Sequence, residues 1–294
     1  SFATRDSSYA GFRDHIDRGV PYRYDISHIG SQYEFRRTIP WMDDDAGGFG
    51  ASHSDYAAKP FAGNSFDYPY YHGLALMRAG YDFVSTSREA LTSGVVDLEK
   101  YPILDLICGK QITTLTGRDG ASKVRYSVFP ADLQETLSEY AASGGNMLIS
   151  GANIATDAWD QIYDYGIDSL MMADVIVPMR NFITGVLKYK WMTNNATAGC
   201  DVKMVSNPFG LPLSAYSFHT KPNPYRYQVE SPDGLVPADK NAYTIFRYSD
   251  NNISAGVAYD GAYRVVSLGF PIEALQSQEQ IDNLIKELME FLDK

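Results

Sequence analysis

Residues 103–109 read Ile103-Leu104-Asp105-Leu106-Ile107-Cys108-Gly109, and residues 147–151 read Met147-Leu148-Ile149-Ser150-Gly151. Each is a short, nearly unbroken apolar run closed by glycine, the pattern of a strand buried on both faces. Between them Pro130 opens a helix whose apolar stripe is Leu133, Leu137, Tyr140 and Ala141, and Gly144-Gly145 ends it. Two such strands joined by an amphipathic helix make a βαβ unit. The runs are therefore expected to be neighbouring parallel strands linked by a right-handed crossover.

The flanks extend this unit. Tyr70–Ala79 reads as a helix stopped at Gly80, and Tyr81–Ser85 as a short buried strand after it. Ala242–Tyr248, Ser254–Tyr259 and Tyr263–Leu268 alternate like strands, separated by Asp250-Asn251-Asn252 and by Asp260-Gly261, a strong hairpin signal. Ser277 then caps a last helix with Gln280 at capping-box spacing, and its stripe is Ile281, Leu284, Ile285, Leu288 and Leu292. Residues 1–65 are polar, glycine-rich and irregular, and residues 181–275 are mostly strand. With no repeat or linker in view, residues 1–294 are expected to form a single α/β domain with a mostly parallel sheet and a β-rich C-terminal extension.

Charge and composition exclude some functions. A net charge of -11 offers nothing to neutralise a run of phosphates, so nucleic acid is not an expected partner. No apolar run reaches the length of a membrane span. Cys108 and Cys200 make neither a disulfide framework nor a metal set. The opening Ser1-Phe2-Ala3-Thr4-Arg5 has neither an initiator methionine nor a signal peptide, and reads as a processed piece of a longer protein with other domains. The 22 tyrosines supply amphipathic surface of the kind common in extracellular, sugar-handling proteins.

Leu104-Asp105-Leu106-Ile107-Cys108-Gly109, then Tyr140-Ala141-Ala142-Ser143-Gly144-Gly145-Asn146-Met147-Leu148-Ile149-Ser150-Gly151, then Tyr263–Glu273 and a terminal helix, resemble the class I glutamine-amidotransferase-like superfamily. The version is that of β-galactosidase trimerisation domains and trehalose-utilisation-type proteins. The resemblance implies a three-layer, flavodoxin-like domain. Trp41-Met42-Asp43-Asp44-Asp45-Ala46-Gly47-Gly48-Phe49-Gly50-Ala51-Ser52 and Gly63-Asn64-Ser65-Phe66-Asp67-Tyr68-Pro69-Tyr70-Tyr71-His72-Gly73 are similar to secreted Bacteroidetes-type proteins labelled "xanthan lyase" or amidase-like. The likeness spans roughly residues 10–294 and implies a secreted, periplasmic or cell-surface setting. The lyase activity does not carry over, because authentic xanthan lyases resemble helical-toroid enzymes. In such relatives a hydrophobic first strand precedes the segment equivalent to residues 1–20, which implies that this chain starts inside the domain.

The superfamily's nucleophile is a Cys on the turn after the strand that Met147–Ile149 resembles; here that position holds Ser150. A serine before glycine suits a nucleophile elbow, and it equally suits a turn whose hydroxyl bonds nearby backbone. The superfamily's base is a His two residues before a Glu; here the stretch is Gly269-Phe270-Pro271-Ile272-Glu273, and the His is missing. His72-Gly73 with Cys108-Gly109 is superficially similar to caspase-like peptidases, but His72 falls at a helix start and Cys108 in an apolar run that marks a core thiol.

Asp43, Asp44 and Asp45, with His53 and Asp55 near, offer oxygen ligands for Ca2+ through Asp43 and Asp45, without EF-hand spacing. The alternative is a solvated acidic loop. Asp67 and His72, among Tyr68 and Tyr71, are candidate ligand-binding residues: aromatic faces with a few polar groups suit a glycan or cell-wall fragment, and packing is the alternative. In an open α/β sheet ligands bind beyond the carboxyl ends of the strands. That would gather Asp67, His72 and the acidic loop near Ser150. Two function classes stay open: a non-catalytic or accessory binding and assembly module of a carbohydrate- or cell-wall-processing protein, and a hydrolase of glycan or peptidoglycan amide or ester bonds using Ser150. No cofactor is expected.

Overall fold

The computed structural model describes residues 68–109, 111–112, 127–160, 172–219, 229 and 231–294, together with short strands at 2–3, 16–17, 20–21, 114–115 and 124–125. In chain order the strands that matter are β1 (Phe2–Ala3), β2 (Thr86–Ser87), β3 (Ile103–Gly109), β4 (Asn146–Gly151), β5 (Tyr189–Thr193), β6 (Asp201–Met204), β7 (Ala215–Ser217), β8 (Gly234–Pro237), β9 (Ala242–Tyr248), β10 (Ser254–Asp260) and β11 (Arg264–Leu268). The helices are α1 (Tyr68–Arg78), α2 (Arg88–Thr92), α3 (Ala131–Ala142), α4 (Thr156–Trp159), α5 (Val177–Phe182) and α6 (Gln278–Leu292).

Nine strands form one sheet in the order β7-β6-β9-β10-β11-β4-β3-β1-β2. The two apolar runs pair as expected, in parallel, with Leu104 opposite Met147 and Leu106 opposite Ile149. From β11 across to β2 every pair is parallel. From β11 to β7 every pair is antiparallel, so the β-rich C-terminal portion continues the same sheet. β5 and β8 form a separate two-stranded ribbon.

Alternation along β3 and β4 splits the core into two halves. Ile103, Ile107 and Leu148 face α1 and α6, whereas Leu104, Leu106, Met147 and Ile149 face α3 and α5. The result is three layers with the sheet in the middle. The α6 stripe of Ile281, Leu284, Ile285, Leu288 and Leu292 is fully buried. That burial is worth on the order of 10 kcal/mol before the entropy lost in ordering the helix is subtracted.

Helix boundaries follow local chemistry. Gly80 at φ +91 and Gly144 at φ +93 take the left-handed conformation just past α1 and α3. The Ser277 hydroxyl accepts from the Gln280 amide, while the Gln280 side chain accepts from Ser217 N–H and ties α6 to β7. Only half of the expected capping box forms, because the glutamine has a better-placed donor in the sheet. Tyr81–Ser85, expected as a buried strand, is instead irregular and partly exposed. The strand is Thr86–Ser87, where β1 is available to pair.

Candidate functional site

Asp105 is the one charged residue in the apolar run of β3, and alternation turns it toward α1 with Ile103 and Ile107. Helix α1 brings His72 over it. The close seat of this helix depends on Gly73, where an added Cβ would lie 2.4 Å from the Phe83 ring. The third member arrives from the segment after β11, where Pro271 starts a short 3-10 turn carrying Glu273. His72 Nδ1 lies 2.7 Å from Asp105 Oδ2, and His72 Nε2 lies 3.3 Å from Glu273 Oε2. All three residues are buried, with His72 at 0% exposure.

Burial by itself lowers the His72 pKa, but the Asp105 charge and the hydrogen bonds to Asp105 and Glu273 outweigh it and push the imidazole up to about 10. The ring is therefore an imidazolium at neutral pH, donating from both nitrogens. A neutral ring has one N–H and would present a lone pair to one carboxyl group. Held as a cation between two acids, it has no lone pair with which to take a proton from a nucleophile.

Ser150 lies on the Leu148 face of β4, the same face as Asp105 and His72. Its side chain is fully buried, and its Oγ has no hydrogen-bond partner among the described residues. No imidazole or carboxylate among them is within hydrogen-bond reach of it, so the geometry assigns it no base. Gly151 follows because β3 comes close at that point: an added Cβ would sit 2.5 Å from Cys108 Cβ. Cys108 is 2% exposed, and burial together with nearby acids pushes its thiol well up, as expected of a core thiol.

The turn after β4 is also occupied. The Asp233 carboxylate accepts from Ala155 N–H at 2.6 Å and Thr156 N–H at 3.0 Å through Oδ2, and from the Thr156 hydroxyl through Oδ1. Trp191 Nε1–H donates to the same hydroxyl. These are amides at the start of α4, where a helix leaves its first N–H groups without intrahelical partners. Here the chain's own carboxylate, at 0% exposure, takes them. Gly269 is needed for that arrangement, since an added Cβ would lie 2.3 Å from the Asp233 carbonyl oxygen.

The expected ligand rim is accordingly revised. His72 is not on a rim: it is sealed under α1 with both ring nitrogens used. Tyr71 is half-buried against the core and meets the Tyr70 ring edge-on at 5.5 Å. Tyr70 itself is 64% exposed. Tyr68 opens α1, but its side chain lies outside the described residues, as do Asp67, Asp43 and Asp45. Among the described residues no group of three His, Cys, Asp or Glu is placed to hold a metal ion, and no helix is long and apolar enough to cross a membrane. Asp105 and Asp233 were not singled out from sequence. A lone acid inside an apolar strand is the signal that marks Asp105; Asp233, in a loop before β8, carries none.

No protein-family model and no curated protein matches the sequence. Among solved structures, the fold is similar to an exo-β-1,4-mannosidase from Opitutaceae bacterium strain TAV5, at 9% identity and a TM-score of 0.42 over 76% of this chain. The chain spans 30% of that protein. It is also similar to a protein assigned as a GMP synthase component from Thermoplasma acidophilum, at 13% identity and a TM-score of 0.38 over 76% of this chain and 92% of that one.

Proposed function

We propose that this chain is a non-catalytic accessory module, serving to bind or assemble, in a secreted protein that processes carbohydrate or cell wall, and that its fold is of the glutamine-amidotransferase-like type. One observation carries the non-catalytic reading. Among the described residues, the only imidazole brought to Glu273, the acid of the superfamily's His-x-Glu segment, is a sealed imidazolium pinned on its far side by Asp105. In this reading the trio fastens α1 to β3 and to the turn after β11. A further observation agrees: Ser150 Oγ is buried without a base among the described residues. The carbohydrate setting and the secreted location rest on the resemblance of the Trp41–Ser52 and Gly63–Gly73 motifs.

The test is a hydrolysis panel at high protein concentration with glutamine, peptidoglycan amides and acetylated glycans, run beside a glycan and peptidoglycan-fragment binding screen. Ammonia and acetate release are expected to stay at the uncatalysed background, with binding in the screen. Release that disappears in Ser150→Ala would replace the accessory reading with the hydrolase one.

A further inference from the structure

The segments flanking α2 combine aromatic and acidic residues: Tyr81, Asp82 and Phe83 follow α1, and Tyr101 comes just before β3. Tyr81–Ser85 is irregular, so these side chains stand around the amino end of β3 instead of alternating across a sheet. Together they help enclose a void of about 120 Å³. Its floor is apolar, built from Leu76, Leu104 and Met289 of the core and from Ile103. Tyr81, Phe83 and Tyr101 add aromatic walls. Asp82, Val84 and Asp293 also line it and are exposed, so its mouth lies among them.

Asp105 supplies the polar point of this void. It lines the void and is 3% exposed. Its Oδ2 is engaged by His72, while its Oδ1 has no hydrogen-bond partner among the described residues. A buried acceptor left open is costly until a donor reaches it. The surrounding charge has one sign. Asp82, Asp105 and Asp293 line the void, and no Lys, Arg or His does. The Tyr81 hydroxyl donates to Asp293 Oδ2 at 3.1 Å and holds that carboxylate at the mouth. The three acids are not placed to share a metal ion. A cleft of this kind draws in cations and repels anions. Aromatic faces favour the same sign of charge.

We infer that the void is a binding site for a short primary alkylammonium group, whose N–H donates to Asp105 Oδ1 and whose carbon chain lies on Leu76, Leu104 and Met289. The volume suits about five non-hydrogen atoms, since a cavity of roughly 150 Å³ takes up benzene. Such a group occurs on a free alkylamine and on a lysine side chain. The site does not depend on the glycan-binding reading above.

Titration of the ¹⁵N-labelled 294-residue chain at pH 7 with n-butylamine, n-butanol and butyrate tests it. The amides of Ile103–Asp105 should shift saturably with n-butylamine, with a Kd of about 1 mM or below. n-Butanol has the same chain without the charge and should bind at least about tenfold more weakly. Butyrate should not bind. Leu98→Trp puts a larger side chain into the void, leaves Asp105 and His72 in place, and should abolish the shifts. The comparison of amine with alcohol needs no variant. N-acetyl-lysinamide separates the two sources: shifts with it support a lysine side chain as the occupant, and shifts with n-butylamine alone support a free amine. Equal affinity for n-butylamine and n-butanol would overturn the inference. So would the absence of saturable shifts at Ile103–Asp105, or shifts that persist unchanged in Leu98→Trp.

Discussion

Replacing His72 by leucine keeps roughly the volume of the ring and removes both of its donors. Asp105 and Glu273, at 3% and 2% exposure, would then share a buried site with no cation between them. Removing one partner from a buried ion pair typically costs 3–5 kcal/mol. His72→Leu is therefore expected to lower unfolding stability at pH 7 by about 4 kcal/mol. The pH dependence makes the cause identifiable. The folded imidazole titrates at about 10 and the unfolded one near 6.5. Below 6.5 both states hold the proton, and the contribution is fully present. Between 6.5 and 10 only the folded state holds it, so stability falls by about 1.4 kcal/mol per pH unit as pH rises. From pH 7 to 9 the native protein should lose roughly 3 kcal/mol more than His72→Leu. Urea unfolding of both proteins at pH 7, 8 and 9, followed by circular dichroism, measures the difference directly. A variant within 1 kcal/mol of the native protein at pH 7, with parallel stability curves up to pH 9, would refute the reasoning.

Ser150→Ala removes a hydroxyl that bonds nothing among the described residues, so stability should change by less than about 1 kcal/mol; a loss above 2 kcal/mol in urea unfolding would mean that the hydroxyl has a partner. Asp233→Ala orphans two amides and a hydroxyl at the start of α4, and should cost about 3 kcal/mol by the same assay. Gly269→Ala should destabilise by more than about 2 kcal/mol, because the atom it strikes is backbone. Gly185→Ala, with nothing within 4 Å of its added Cβ, is the matched control and should be neutral or slightly stabilising in thermal melts.

What the sequence shows of this protein is what local chemistry determines. β3, β4, α3 and α6 carry their own periodicity, caps and glycine stops, and the β10–β11 hairpin carries its turn. Tyr81–Ser85 misled because its apolar content serves the core from an irregular segment; pairing, which decides a strand, depends on β1 some 80 positions away. The site failed differently. His72 meets Glu273 across 201 positions, and no spacing rule spans that distance. Glu273 is legible as the Glu of the His-x-Glu segment, but its imidazole comes from α1 and not from the neighbouring residues. Asp105 stands alone among apolar residues in β3, and a buried acid calls for a donor or cation.

His72, held between two acids, is a structural cation rather than a base, and its protonation state can be observed. Ring ¹⁵N chemical shifts of His72, assigned against His72→Gln and followed from pH 6 to 11, should show both nitrogens protonated at pH 7 and titration near 10. A neutral ring at pH 7, carrying one proton and an open lone pair, would contradict the account.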